Sequence, residues 1–175
     1  SELERGMVLS EPGRFEATRE VDCSLELLPS AKNLKNRAPV HFHAGAAEIE
    51  AELRRLAPGY ARLVLREPCL LLPGDRFIIR RFSPVATIGG GVVLDNGGYR
   101  YRRKESAAAR LGVLAAGSPA ERAALLVREA RYGLSIAGLV ARTGAPVPPS
   151  DAFLVLEGPP AWALDRAWIQ AAFAR

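Results

Sequence analysis

Apolar and polar residues alternate along the first half of the chain. Across 19–28, Val21, Cys23, Leu25 and Leu27 fall on one side and Glu20, Asp22, Ser24 and Glu26 on the other, the period of two that predicts a half-buried strand. In 40–56, Ala and Glu content and the spacing of Ile49, Leu53 and Leu56 favour a helix. Against this, Ala47, Ile49, Ala51 and Leu53 alternate with Glu48, Glu50, Glu52 and Arg54, and flanking β segments make strand the reading. The polar stretch 29–39, with Lys32, Asn33, Lys35, Asn36 and Arg37, is a basic loop. After Pro58-Gly59, apolar runs at 60–66 and 69–72 break at Pro68; Pro73-Gly74-Asp75 turns the chain into a strand over 76–82. Short strands punctuated this regularly predict a small β-barrel or sandwich. The opening 4–13 ends in a Pro12-Gly13 turn and reads as an entry segment rather than a helix.

After Asn96-Gly97-Gly98 the period changes. Residues 107–116 are alanine-rich and helical in pattern, and Ser118-Pro119-Ala120-Glu121 is a capping box with proline at the first helical position, so a helix starts there. It should run to about Arg131, with Gly133 closing it. The stretch 134–144 has a cap, apolar spacing and a terminal glycine, like the second helix of a helix-turn-helix. A recognition helix should follow at once, yet Ala145-Pro146-Val147-Pro148-Pro149-Ser150 is too proline-rich to form one. Segments 153–156 and 162–164 around Gly158-Pro159-Pro160 read instead as a β-hairpin wing, with a last short helix from Asp165. The expected architecture is mixed: an all-β barrel over 1–96, then a mostly helical, winged-helix-like domain over 97–175 with a basic linker at 97–104.

Charge separates the two halves. Residues 1–96 carry 13 Lys+Arg and 13 Asp+Glu, whereas 97–175 carry 11 and 6, so the whole formal excess of +5 lies in the second half. Much of it is Arg100, Arg102, Arg103 and Lys104, a run that meets phosphate or merely solvates a linker. At 175 residues and 49% hydrophobic content the chain can bury one large core or two small ones. No run of 18 uncharged apolar residues and no signal-peptide pattern occurs, so no membrane and a cytoplasmic setting are expected. The chain opens on Ser1 rather than Met, and a piece of a longer protein is expected. Cys23 and Cys69 form no Cys-x-x-Cys pair and read as buried thiols.

Three constellations carry candidate chemistry. His41-Phe42-His43 sets two imidazoles on one face of a strand, and with Glu48 the spacing resembles the first motif of cupin metalloenzymes. That motif expects glycine where Arg55 stands, and the fold a further histidine, while the chain has 2 in all. Gly89-Gly90-Gly91 is followed by Val92-Val93-Leu94 rather than the Lys and Ser/Thr of a phosphate loop, which favours a bulge or a close backbone approach. Arg76 and Arg80 share one strand face and Arg81 takes the other, as solvated surface or as contacts to a nucleic-acid backbone. No paired catalytic carboxylates and no Ser-His-Asp order stand out.

Glu4-Arg5-Gly6-Met7-Val8-Leu9-Ser10-Glu11-Pro12-Gly13, His43-Ala44-Gly45, Gly74-Asp75-Arg76-Phe77-Ile78-Ile79-Arg80 and Ser83-Pro84-Val85-Ala86-Thr87-Ile88-Gly89-Gly90-Gly91-Val92-Val93-Leu94-Asp95 together resemble the third domain of the selenocysteine-specific translation elongation factors, over about 1–96. The second half is similar to the first winged-helix domain that follows in the bacterial factors. The resemblance implies a non-catalytic barrel that packs beside the T-stem of selenocysteinyl-tRNA. Arg80, Arg81, Ser83, Thr87 and His43 are carried over as tRNA-binding residues, since an A-form stem is read mainly by shape. It also implies delivery to the ribosome and a spacer role for the second half. The messenger-RNA hairpin would be gripped only by domains outside this chain. No cofactor is implied for the chain itself, GTP and Mg belonging to a GTPase domain of the parent protein. Ala46 stands where the family usually has threonine.

Overall fold

The computed structural model describes residues 6–174 except 11, 14, 32 and 33. Of the sequence expectations, Glu4, Arg5 and Glu11 of the opening segment and Lys32 and Asn33 of the basic loop lie outside the described residues. Two compact units divide the chain, Ser1–Leu111 and Gly112–Arg175.

The first unit is a closed six-stranded β-barrel. Its elements are β1 (Thr18–Ser24), β2 (Glu26–Leu27), a 3-10 turn (Pro29–Ala31), β3 (Ala38–Ala44), β4 (Ala47–Ala57), β5 (Tyr60–Cys69), β6 (Arg76–Arg81) and β7 (Ala86–Asp95). Strands follow the order β1-β5-β4-β3-β6-β7, β1 pairs back onto β7 to close the ring, and β2 lies along β7. Every pairing is antiparallel, and closure leaves no edge among these six strands. Alternation selects the core: Val21, Cys23, Val40, Phe42, Leu53, Leu63, Ile79 and Val93 point inward and are almost fully buried.

Two local departures from the sequence expectations have plain causes. The run 40–56 is a hairpin rather than one strand: Ala44 pairs with Ala47, and Gly45, at φ +55°, supplies the left-handed residue this tight turn needs. Pro68 does not break the fifth strand. Pairing to β4 is last made at Leu65, and the β1 register jumps between Val64 and Cys69, so no ladder hydrogen bond is demanded of an imide nitrogen.

The triple glycine sits at the seam. A Cβ on Gly91 would lie 1.9 Å from the Ser24 carbonyl oxygen and one on Gly89 2.5 Å from that of Glu26. The end of β1 and the start of β2 cross β7 at a distance that only glycine allows. One residue earlier, Ile88 forms a bulge between the Ile79–Gly89 and Arg80–Thr87 pairs and packs into the core at 1% exposure.

Helix α1 (Lys104–Ala116) carries the boundary between the units, beginning three residues earlier than the alanine-rich run. In the second unit, α2 (Pro119–Glu129) starts on the capping box, Ser118 accepting from the Glu121 amide. It ends before Arg131 because Ala130 is already extended and the chain turns into β8 (Leu134–Ser135). Ser135 caps α3 (Ile136–Thr143), which Gly144 ends. No helix follows in the proline-rich stretch 145–150. Strands β9 (Phe153–Leu156) and β10 (Trp162–Asp165) form the hairpin, β8 adding to β10 as a third strand. Asp165 then caps α4 (Arg166–Phe173). Among the described residues no helix is long and apolar enough to cross a membrane.

Candidate nucleic-acid interface

The outer face of β3, β6 and β7 brings His43, Arg80 and Thr87 together, with Ser83 exposed on the turn after β6 and Arg81 bonded to Ser30 of the 3-10 turn. On β6, Phe77 and Ile79 turn inward while Arg76, Ile78 and Arg80 turn outward. Register places His41 opposite Arg80 and His43 opposite Ile78, and Arg80 opposite Thr87 on β7. His41, Arg80 and Thr87 thus form one row across three strands. The turn 82–85 joins β6 to β7 and exposes Ser83 and Val85. Phe82 leaves the turn to stack on His41, ring centres 3.9 Å apart.

Individual side chains differ in what they offer. Arg80 is half-buried, and its Nε is enclosed without a hydrogen-bond partner among the described residues, as is Nε2 of His43. Arg81 donates from its guanidinium to the Ser30 carbonyl at 3.0 Å, which fixes its stem against the 3-10 turn. Thr87 and Ser83 are exposed, with hydroxyls suited to hydrogen bonding. Sequence reasoning passed over Phe82 and Ile78 as site residues. The outward phase of Ile78, alternating with two arginines, was the readable signal.

The metal-centre reading of His41, His43 and Glu48 is not supported. Both Nδ1 atoms lie 3.9 Å from oxygens of Glu48, and the His41 ring is spent on Phe82. Among the described residues no three His, Cys, Asp or Glu side chains are grouped to hold a metal.

A second cluster lies where a solvated surface was expected. Asp22, read as outward-facing, is 2% exposed, with Asp95 at 2%, Arg62 at 8% and Arg110 at 5%. Arg62 holds Asp22 through two parallel bonds of 2.7 and 3.0 Å and donates also to the Tyr99 carbonyl. Arg110 reaches Asp95 at 2.5 Å and the Tyr101 hydroxyl at 2.9 Å, and stacks over Tyr99 at 4.2 Å. The Tyr101 hydroxyl in turn donates to Asp22 at 2.7 Å. Burial opposes the charge on Arg62, but the hydrogen bond and charge of Asp22, with Glu20 behind, outweigh it and raise its pKa. Burial first, then the charge of Asp22, pushes the Tyr101 phenol well above its usual range. The basic linker is therefore pinned at its two tyrosines, while Arg100, Arg102, Arg103 and Lys104 stay exposed. Alternation within 19–28 could not reveal this, because the cover over Asp22 comes from residues some 80 positions later.

Comparison with known proteins agrees with this architecture. Residues 21–99 match the family model described as the selenocysteine-specific elongation factor, beta-barrel domain. The selenocysteine-specific elongation factor of Desulfomicrobium baculatum is 36% identical over 149 residues, covering 79% of this chain and 24% of that protein. A crystal structure of a bacterial selenocysteine-specific elongation factor superposes with a TM-score of 0.70 at 18% identity, over 91% of this chain and 26% of the other. The chain thus spans about a quarter of the proteins it matches. The match is to the beta-barrel domain, and the matched segment holds no nucleotide-binding glycine-lysine motif. Residues 21–99 thus belong to the beta-barrel domain family of the selenocysteine-specific elongation factors, and the chain as a whole matches a fragment of such a factor.

Proposed function

We propose that the barrel contacts the T-stem of selenocysteinyl-tRNA through the outer face of β3, β6 and β7. The row His41–Arg80–Thr87 across three strands, with Thr87 and the neighbouring Ser83 exposed, carries the reading. Arg80 and Arg81 suit phosphate oxygens, and Ser83, Thr87 and His43 suit phosphate or 2′-hydroxyl groups, the two features by which an A-form stem is recognised. Glu48 and Glu50 on β4 mark the side the backbone must avoid, so the RNA runs along β6 and β7. In the whole protein the second unit, a winged-helix-like fold, acts as a spacer towards messenger-RNA-binding domains. GTP and Mg serve a separate domain, and the assembly works with the ribosome in the cytoplasm.

Fluorescence titration of the full chain with selenocysteinyl-tRNA tests this. Arg80→Ala/Arg81→Ala should weaken binding about a hundredfold or more, each lost charge-assisted contact being worth roughly 1.5–3 kcal/mol. The slope of log affinity against log salt should fall by about 2. Unchanged affinity and slope would remove the assignment.

A further inference from the structure

Arg100, Arg102, Arg103 and Lys104 are exposed, yet the backbone that carries them is not free. Tyr99 and Tyr101, alternating with the arginines, are held by Arg110, Arg62 and Asp22. At the other end the Arg103 carbonyl accepts from Ser106 Oγ at 2.7 Å and from the Ala107 amide at 3.3 Å, which builds it into the first turn of α1. Four cations thus stand on a fixed scaffold. A cleft of about 460 Å³ opens beside Lys104. Leu25, Leu27, Leu56 and Tyr60 give it an apolar floor, and Arg55 and Lys104 stand at its rim. Arg55 is steadied by a guanidinium bond to the Leu34 carbonyl at 3.0 Å.

We propose that this surface is a second RNA contact, separate from the β6–β7 face: the phosphate backbone follows Arg100, Arg102 and Lys104, and one unpaired base enters the cleft over Tyr60. Guanidinium and ammonium groups on a pre-set backbone bind phosphate without a large ordering cost. An apolar floor with an aromatic ring and a cationic rim is the chemistry that takes a single-stranded nucleotide. The choice of RNA as the polyanion rests on the function proposed above.

The full chain is titrated with a hairpin RNA bearing a short single-stranded tail and with the same hairpin lacking it. Arg100→Ala/Arg102→Ala/Lys104→Ala should weaken binding of the tailed RNA about tenfold, with a salt slope smaller by about 0.7 per lost contact, hence by about 2. Arg100→Lys/Arg102→Lys should stay within about threefold of the parent, because the charge that releases counterions is kept. Tyr60→Ala should erase the advantage of the tail and leave the bare hairpin unaffected. An alanine triple variant with parental affinity and slope overturns the proposal, as does a tail that adds nothing to the parent. If Arg80→Ala/Arg81→Ala weakens binding and the triple variant does not, the second contact fails while the first stands. The reverse pattern removes the first and keeps the second.

Discussion

Replacing Arg110 by methionine keeps most of the side-chain volume and deletes its charge. In the parent, two carboxylates, Asp22 and Asp95, and two guanidiniums, Arg62 and Arg110, balance within a site where each is at most 8% exposed. Without Arg110, Asp22 keeps Arg62, but Asp95 loses its 2.5 Å bond and Tyr99 loses the cation stacked at 4.2 Å. Breaking a buried pair from one side costs about 3–5 kcal/mol. For a unit of this size that lowers Tm by about 12–20 °C, at roughly 4 °C per kcal/mol. Far-ultraviolet circular dichroism of the full chain reads the strand transition. The decisive measurement is the double variant Arg110→Met/Asp95→Asn. If the two groups neutralise each other, it should be at least about 1 kcal/mol more stable than the sum of the single losses allows. Losses that add to within about 0.5 kcal/mol, or an Arg110→Met barrel that melts like the parent, would refute the reasoning.

Tyr101 carries a raised phenol pKa because burial and Asp22 disfavour its anion. Its contribution to stability is therefore complete below the ordinary tyrosine value near 10 and is lost as pH rises beyond it. Tyr101→Phe should flatten that alkaline decline in a melting series. Gly91→Ala places a methyl 1.9 Å from the Ser24 oxygen and should abolish the cooperative barrel transition. Gly98→Ala, with nothing within 4 Å but φ +64°, should cost only about 1–2 kcal/mol. Glu121 is held below its ordinary pKa by the Ser118 amide, then by the Ser118 hydroxyl. The cap's contribution is thus present above the ordinary glutamate range and fades as pH falls through the lowered value. Ser118→Ala should reduce that acid-side dependence, read by helical circular dichroism. Burial raises the Cys69 thiol, and Cys23 is enclosed and raised further, so a thiol reagent should label Cys69 slowly and Cys23 only on unfolding.

Periodicity made the barrel legible strand by strand, because each strand has one buried face and the period of two reports it directly. Helix caps were equally readable: Ser118, Ser135 and Asp165 all cap the helices that follow them. What escaped was set by partners distant in sequence. The hairpin at Gly45 showed only as a change of phase, the apolar positions being Val40, Phe42 and Ala44 before it and Ala47, Ile49 and Ala51 after it, and the small residues 44–47 blur that change. Asp22 was assigned to solvent because nothing within 19–28 announces Tyr101 and Arg110. For the contact face, the spacing of Arg76 and Arg80 gave their shared outward face. The cross-strand row with Thr87 and His41 depended on a register that the Ile88 bulge shifts, and bulges leave little trace in an isolated sequence.

The seam at Gly89 and Gly91 has a mechanical consequence for the turn at 82–85. Both arms of that turn, β6 and β7, are rooted beside the glycines, where backbone lies against backbone with no side chain between to yield. The turn is a short cantilever clamped at its base. Force applied at Ser83 is passed to the barrel's closure rather than absorbed by loop motion, and a partner seated there would sense the integrity of the ring.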